Sequence, residues 1–299
     1  MKINIISPSV SSINVNNDGN NVQGDELVAR LWVKNLKNDS RVTLAELNGN
    51  RKDYDVSISF SPLLESTGGY KILYLQNCFP KPHWPGTVGM FHQVKNKYDN
   101  YIFPSDGLKN DCKNKNGLVC QFATDLDLFH PKKYNKKFDY NLCFVGNKIR
   151  NDDTNEKYLL CAKDMGLAIF GNPSSWNMEI CKGKISLEDE STLYSSSKIC
   201  LNAHLEEHLF YGSYNFRIFN ILACGGFIIS DFSRFLEYDF EDCVAFSEGG
   251  EDLKQKIKFY LDNPKEIEKF RKNGLELVKS KHTFKHRMND MLNWLEKKI

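Results

Sequence analysis

The sharpest chemical signal in the sequence is an arginine in an unfavourable place. Residues 215–231, NFRIFNILACGGFIISD, read as a short helix stopped by Gly225-Gly226 and followed by a buried strand, Phe227–Ser230. Arg217 then falls in the first turn of that helix, where free N–H groups and the backbone dipole already carry partial positive charge. A cation there costs roughly a few tenths of a kcal/mol unless an anion stands opposite, so the pattern predicts anion binding. A second signal is Gly146-Asn147-Lys148, which follows the strand YNLCFV in a loop running on to Arg150. A glycine there lets the backbone approach a phosphate, and a basic side chain adds charge; an ordinary strand-end turn is the competing reading. Asn202 and His204, in KICLNAH, are polar groups leaving a buried strand. The competing reading of His204 is a loop histidine bonded to a backbone carbonyl. His83 stands in the loop NCFPKPHWPG after the strand KILYLQ.

The chain that must position these groups has 299 residues, 41% hydrophobic and 26% charged, which is the balance of a soluble globular protein of one large or two ordinary domains. Its 40 basic and 38 acidic residues are well mixed, which argues against broad nucleic-acid binding. The short basic run KKYNKK at 132–137 reads as a solvated linker. Nine cysteines, without a Cys-x-x-Cys pair, read as small buried hydrophobes in a reducing compartment, with neither a disulfide framework nor a zinc site. No run approaches the roughly 18–20 apolar residues of a spanning helix, and the N-terminus reads as a strand. A cytoplasmic protein is expected, with room for a peripheral membrane contact.

Strands are expected at Ile3–Ile6, Arg41–Leu47, Asp55–Phe60, Tyr70–Gln76, Tyr101–Phe103 and Leu118–Phe122, with a helix from about Gly24 carrying Leu27, Val28, Leu31, Trp32 and Leu36 on one face. Residues 123–138 break the pattern as a linker. A second alternating unit follows, with strands Tyr140–Val145, Leu167–Phe170, Lys198–Asn202 and Phe227–Ser230 and a helix Glu188–Ser196. The end is helical over 251–262, 265–280 and 284–298. Buried strands alternating with helices argue for parallel sheets covered on both faces. The architecture expected is therefore α/β, with two Rossmann-like domains facing across a cleft. The domains are 1–125 and 138–282, and the helix of 283–299 is placed to cross back onto the first.

NFRIFNILACGGFIISDF, together with EDLKQKIKFYLDNPKEIEKFRKNGLELVKSKHTFKHRMNDML, resembles the C-terminal half of the GT-B glycosyltransferases, and within them is most similar to the CgeB-like set. The segments QFATDLDLFHP and YDNYIFPSDGLKND resemble the linker and the last strand-and-helix of the first half in group 1 glycosyltransferases. The similarity is good over about 118–295 and only architectural over 1–100. It implies a nucleotide-sugar held by the second domain, an acceptor held by the first and no obligatory metal or other cofactor. In such enzymes the donor diphosphate lies against a helix N-terminus of the second domain, which would give Arg217 its anion and a catalytic role on the leaving group.

The resemblance extends the donor site to Asn202, His204, Asn215, Phe216 and Asn220, with Gly146, Asn147 and Lys148 at the phosphates. Asn172, after Gly171, falls near the nucleobase, although a plain turn is the stronger reading. The family usually has Glu where Asn220 stands, bonding the ribose, and many group 1 enzymes have a second Glu eight positions earlier, where this chain has Gly212. Retention or inversion of the anomeric centre is therefore left open. An inverting mechanism needs a base from the first domain. His83 is the candidate, with Trp84 as a sugar-stacking surface, and His92, Asp18 and Asp25 compete. The loop Asn16–Gly24 resembles the acceptor- or phosphate-facing loop, which makes Gly24 an acceptor-site candidate. His282 and His286 match a structural terminal pattern.

The function expected is transfer of a hexose-type sugar from a nucleotide-diphosphate donor to a glycan, lipid-linked or protein acceptor, as in polysaccharide biosynthesis. The alternatives are a catalytically degenerate protein that binds sugar nucleotide or glycan, and a nucleotide-sugar isomerase. A nicotinamide oxidoreductase is disfavoured, since no G-x-G-x-x-G follows a first strand.

Overall fold

The structure is a computed structural model describing residues 1–8, 24–64, 68–78, 86–148, 152–176 and 178–299. It divides into two compact units. The first comprises Met1–Phe122, Phe210–Ser213 and Phe284–Ile299, and the second Ala123–Leu209 and Tyr214–Thr283.

In the first unit, six strands form one sheet: β1 (Lys2–Ile6), β2 (Leu44–Leu47), β3 (Val56–Ser59), β4 (Tyr70–Tyr74), β5 (Asn100–Phe103) and β6 (Leu118–Val119). Their order is β2-β1-β3-β4-β5-β6, and every neighbouring pair is parallel. The apolar face of helix Gly24–Lys37 buries Leu27, Val28, Leu31, Trp32 and Leu36. Trp32 stacks on Tyr74 with ring centroids 4.9 Å apart and meets Phe60 edge-on at 5.1 Å. The last helix, Phe284–Leu295, packs on the same unit with Phe284, Met288, Met291, Leu292 and Leu295 buried. Arg41 reaches its Asn289 and Asn293 side chains at 2.9 and 2.6 Å, and Arg287 donates to the Gln121 and Phe122 carbonyls at 2.9 and 3.3 Å.

The second unit holds five strands: β7 (Leu142–Val145), β8 (Leu167–Phe170), β9 (Ile199–Asn202), β10 (Ile228–Asp231) and β11 (Ala245–Ser247). The order is β11-β10-β9-β7-β8, again parallel throughout. All four residues of β8, β9 and β10 are buried, as a sheet covered on both faces requires. The connections run from β7 to β8 on one side and then from β9 outward on the other, so the winding reverses between β7 and β9.

The strands expected from the sequence are present. β11 is an addition: three residues between Asp242-Cys243-Val244 and an acidic, glycine-rich turn are too short to show a period. Among the described residues no helix is long and apolar enough to cross a membrane.

Candidate functional site

Open parallel sheets bind ligands beyond the carboxyl ends of their strands, where the winding reverses. In the second unit that point lies between β7 and β9, which pair only through Leu142↔Ile199 and Cys143↔Cys200. Where this ladder ends, Arg217 takes over. Its Nε donates to the Val145 carbonyl at the end of β7, and its Nη1 donates to Asn202 Oδ1, 2.8 Å away at the end of β9. The guanidinium carbon lies 4.4 Å from the centre of the Phe144 ring, which gives it a cation–π surface.

Local sequence explains how the arginine gets there. Helix Phe216–Ala223 starts at Asn215, whose side chain caps it by accepting from the Ile218 N–H at 3.2 Å. The other half of the same amide donates to the Ala203 carbonyl at 3.1 Å, tying the cap to the segment after β9. Ile218, Phe219, Ile221 and Leu222 are buried, so Arg217 is held at the strand ends by apolar packing on the rest of the helix. The helix stops at Gly225, in the left-handed region at φ +67°.

Gly146 makes room for the cation. It has φ +152°, and a Cβ added there would fall 2.5 Å from Arg217 Nη2. Its carbonyl accepts from Trp176 Nε1 at 2.9 Å and its N–H donates to the Phe170 carbonyl at 2.8 Å. The loop after β7 is joined to the loop after β8. Asn172 N–H donates to Asn147 Oδ1 at 3.0 Å, Lys148 N–H donates to Ser175 Oγ at 3.0 Å, and a Cβ on Gly171 would meet the Gly146 carbonyl.

The electrostatics are unusual for an arginine. Among the described residues no carboxylate lies within salt-bridge distance of Arg217, and its Nη2 has no hydrogen-bond partner. Burial lowers its pKa from the ordinary value, against the pull of Tyr194, Glu190 and Asp231. Glu190, on helix Leu187–Ser196, accepts the Tyr194 hydroxyl at 2.8 Å. Burial raises its carboxyl to about 7, with the Tyr194 hydroxyl and Arg217 working the other way.

Behind the arginine lies a second row of groups. Asn202 Nδ2 donates to Ser230 Oγ at 3.0 Å, and Ser230 Oγ donates to Asp231 Oδ1 at 2.8 Å. His204 bonds the same carboxylate twice, through its N–H to Oδ2 at 2.6 Å and through Nδ1 to Oδ1 at 2.7 Å. The side chains of His204 and Asp231 are 0% and 1% exposed, so any effect of His204 on a ligand passes through Asn202. Burial opposes ionisation of Asp231, but its bonds to His204 and Ser230 prevail and its pKa is lowered. His208 stands close by, buried, with Nε2 unpartnered among the described residues; burial brings it down to about 4.

The structure thus brings Arg217, Gly146, Asn147, Asn172, Asn202 and Asn215 to the carboxyl edge of one sheet. Phe216 is half-buried, edge-on to Phe129 at 5.9 Å. Asn220 is 1% exposed and its amide oxygen accepts from Thr124 Oγ1 at 2.8 Å, so in this geometry it ties residues 123–125 to the helix. In the first unit, Gly24 is exposed and opens its helix with nothing within 4 Å of a Cβ. His92 is exposed on helix Gly86–Val94. His83, Trp84, Arg150, Asp18 and the side chain of Asp25 lie outside the described residues. Sequence reasoning missed Asp231 and Glu190. The one available signal was a carboxylate closing the apolar strand FIISD.

Residues 155–293 match the model of the glycosyl transferase-like family. Sucrose-phosphate synthase from Thermosynechococcus elongatus superposes with a TM-score of 0.71 at 11% identity, covering 99% of each chain. The fold is that of the GT-B glycosyltransferases. A glycosyltransferase from Rickettsia africae (TM-score 0.65, 12% identity, 99% of this chain and 98% of the other) and Anabaena HepE with UDP and glucose (0.67, 9%, 99% of each) share this GT-B fold. No curated protein sequence matches the chain.

Proposed function

We propose that this GT-B protein moves a hexose-type sugar from a nucleoside-diphosphate donor to a glycan, lipid-linked or protein acceptor. The observation that carries the reading is Arg217: a guanidinium at the point where the sheet's winding reverses, balanced by neutral acceptors and with Nη2 unengaged among the described residues. A diphosphate is the anion that fits a helix start, a glycine loop and a cation together. HepE, which shares the fold, is described with UDP and glucose, which supports the donor class.

Transfer breaks the bond from the anomeric carbon to the diphosphate oxygen and forms a bond from that carbon to an acceptor hydroxyl. Negative charge grows on the leaving diphosphate, so a fixed cation at that oxygen favours the transition state over the ground state. Arg217 supplies that charge, and no obligatory metal is proposed. His83, with Trp84 beside it, remains the proposed base. The nine free cysteines support a reducing, cytoplasmic setting.

The test is a panel of UDP-, GDP-, dTDP- and CMP-sugars, screened by thermal shift and then for donor turnover with and without a chelator. One nucleotide class should raise the melting temperature and be consumed at the same rate in both conditions. No stabilisation by any of them overturns the reading; loss of activity to chelator, restored by manganese, overturns its metal-free form. A second reading, binding without catalysis, is favoured by Gly212 and Asn220 standing where the similar enzymes carry Glu, and it predicts stabilisation with no turnover.

A further inference from the structure

Each group between Arg217 and Asp231 has its direction set by its chemistry. A guanidinium only donates, so Asn202 must turn its amide oxygen to Arg217, 2.8 Å away, and its NH2 to Ser230 Oγ at 3.0 Å and His204 Nε2 at 3.5 Å. Ser230, accepting there, gives its own proton to Asp231 Oδ1. A carboxylate only accepts, so His204 carries its proton on Nδ1 and presents a lone pair at Nε2 to the Asn202 amide. The row starts at a cation and ends at a buried carboxylate, and every dipole between them points the same way. Among the described residues no Lys or Arg touches Asp231.

We propose that Asp231 is the positioning residue of the donor site. Its charge orients Ser230 and Asn202, and through them it aims the Arg217 guanidinium. The orientation stands on the hydrogen bonds alone; that the guanidinium meets a diphosphate rests on the function proposed above. Asp231→Asn keeps the size of the side chain but sets an NH2 group against one of three donors. Ser230 and Asn202 are then free to reverse, and a reversed Asn202 would meet Arg217 donor to donor.

The test uses the full chain. In spectra of protein labelled with 15N at arginine and histidine, the Arg217 side-chain signal (assigned from Arg217→Lys) should shift or broaden in Asp231→Asn. His204 should leave the Nδ1–H tautomer. Asp239→Asn is the control for general loosening, since it removes the carboxylate under the Tyr214 hydroxyl, 2.6 Å away, without touching the row. Titration with UDP, GDP and dTDP should show the best wild-type ligand bound roughly tenfold or more weakly by Asp231→Asn, and unchanged by Asp239→Asn. An unmoved Arg217 signal, or undiminished nucleotide affinity, overturns the proposal. If the wild type binds none of the three, the donor reading fails, while the arginine signal still decides the orientation. Should Asp231→Asn not fold, Ser230→Ala breaks the same row at a neutral residue and must move the Arg217 signal too.

Discussion

The two sheets reverse their winding in the same way and finish the reversal differently. In the first, β1 and β3 pair through four residues, Ile3–Ile6 against Val56–Ser59, and Asn4 of β1 closes a two-way bond with Gly49, just past the end of β2, at 2.9 and 3.0 Å. Ser7, just beyond β1, exchanges backbone bonds with the Asn48 side chain at 2.8 and 3.0 Å. The groups bonded there are all neutral, and the Ser7 hydroxyl is left buried without a partner among the described residues. In the second, the β7–β9 ladder stops after two residues and a half-buried arginine replaces the next bonds. An extended ladder would avoid the desolvation of a cation, so the second arrangement is the costlier one. A fold that keeps the costly version in one unit and the ordinary one in the other points to charge recognition in the unit that carries it.

The most disruptive way to break this contrast is Arg217→Ala. Turnover should fall by roughly a hundredfold or more, as when a preorganised donor to a growing negative charge is removed. The Val145 carbonyl would also lose its donor, at a cost of about 1–3 kcal/mol in a urea titration. Wild-type turnover in this variant would remove the mechanistic role of the arginine. Gly146→Ala comes next, with the arginine retained but displaced, and should weaken nucleotide binding by roughly tenfold in a calorimetric titration. Its counterpart in the first unit is Gly49→Ala, whose Cβ would meet the Tyr54 hydroxyl. That change should lower the melting temperature and leave nucleotide affinity alone; equal losses of affinity would erase the distinction. The smallest effect on nucleotide handling belongs to Glu190→Gln, whose change is read in stability. With its pKa raised from 4.5 to about 7, the folded protein binds this proton more tightly than the unfolded chain. Stability from this group is therefore full below pH 4.5 and lost as the pH rises to 7. Melting curves across that window should show the variant gaining on the wild type as pH rises, then running parallel above pH 7.

Much of the fold was legible because its signals are local. Buried strands such as CLN in β9 and IIS in β10 announce themselves by apolar runs bounded by polar or glycine residues, and Gly225-Gly226 marks a helix end. Arg217 was legible as an anomaly for the same reason, since a cation in a helix's first turn is a local misfit. Partners were not. Nothing near Asn220 reveals Thr124, 96 positions away, nor does the sequence around Asp231 reveal His204, 27 positions away. An aspartate after a strand reads as the start of a loop, and only the parallel pairing of β9 with β10 brings its carboxylate to His204. Helix Arg234–Phe240 and β11 escaped because seven and three residues are too few to show a period.

The first unit is assembled from three pieces of chain, and the last of them is the helix that begins at Phe284. Chains leave the ribosome from the N-terminus, and domains ordinarily fold in that order. Here the sequence of completion is inverted. A nascent chain that has emerged as far as Thr283 holds every segment of the second unit but still lacks the helix that covers the first. The unit made first must wait for residues 284–295, with helix Gly24–Lys37 awaiting the partner it packs against while the other half is already finished.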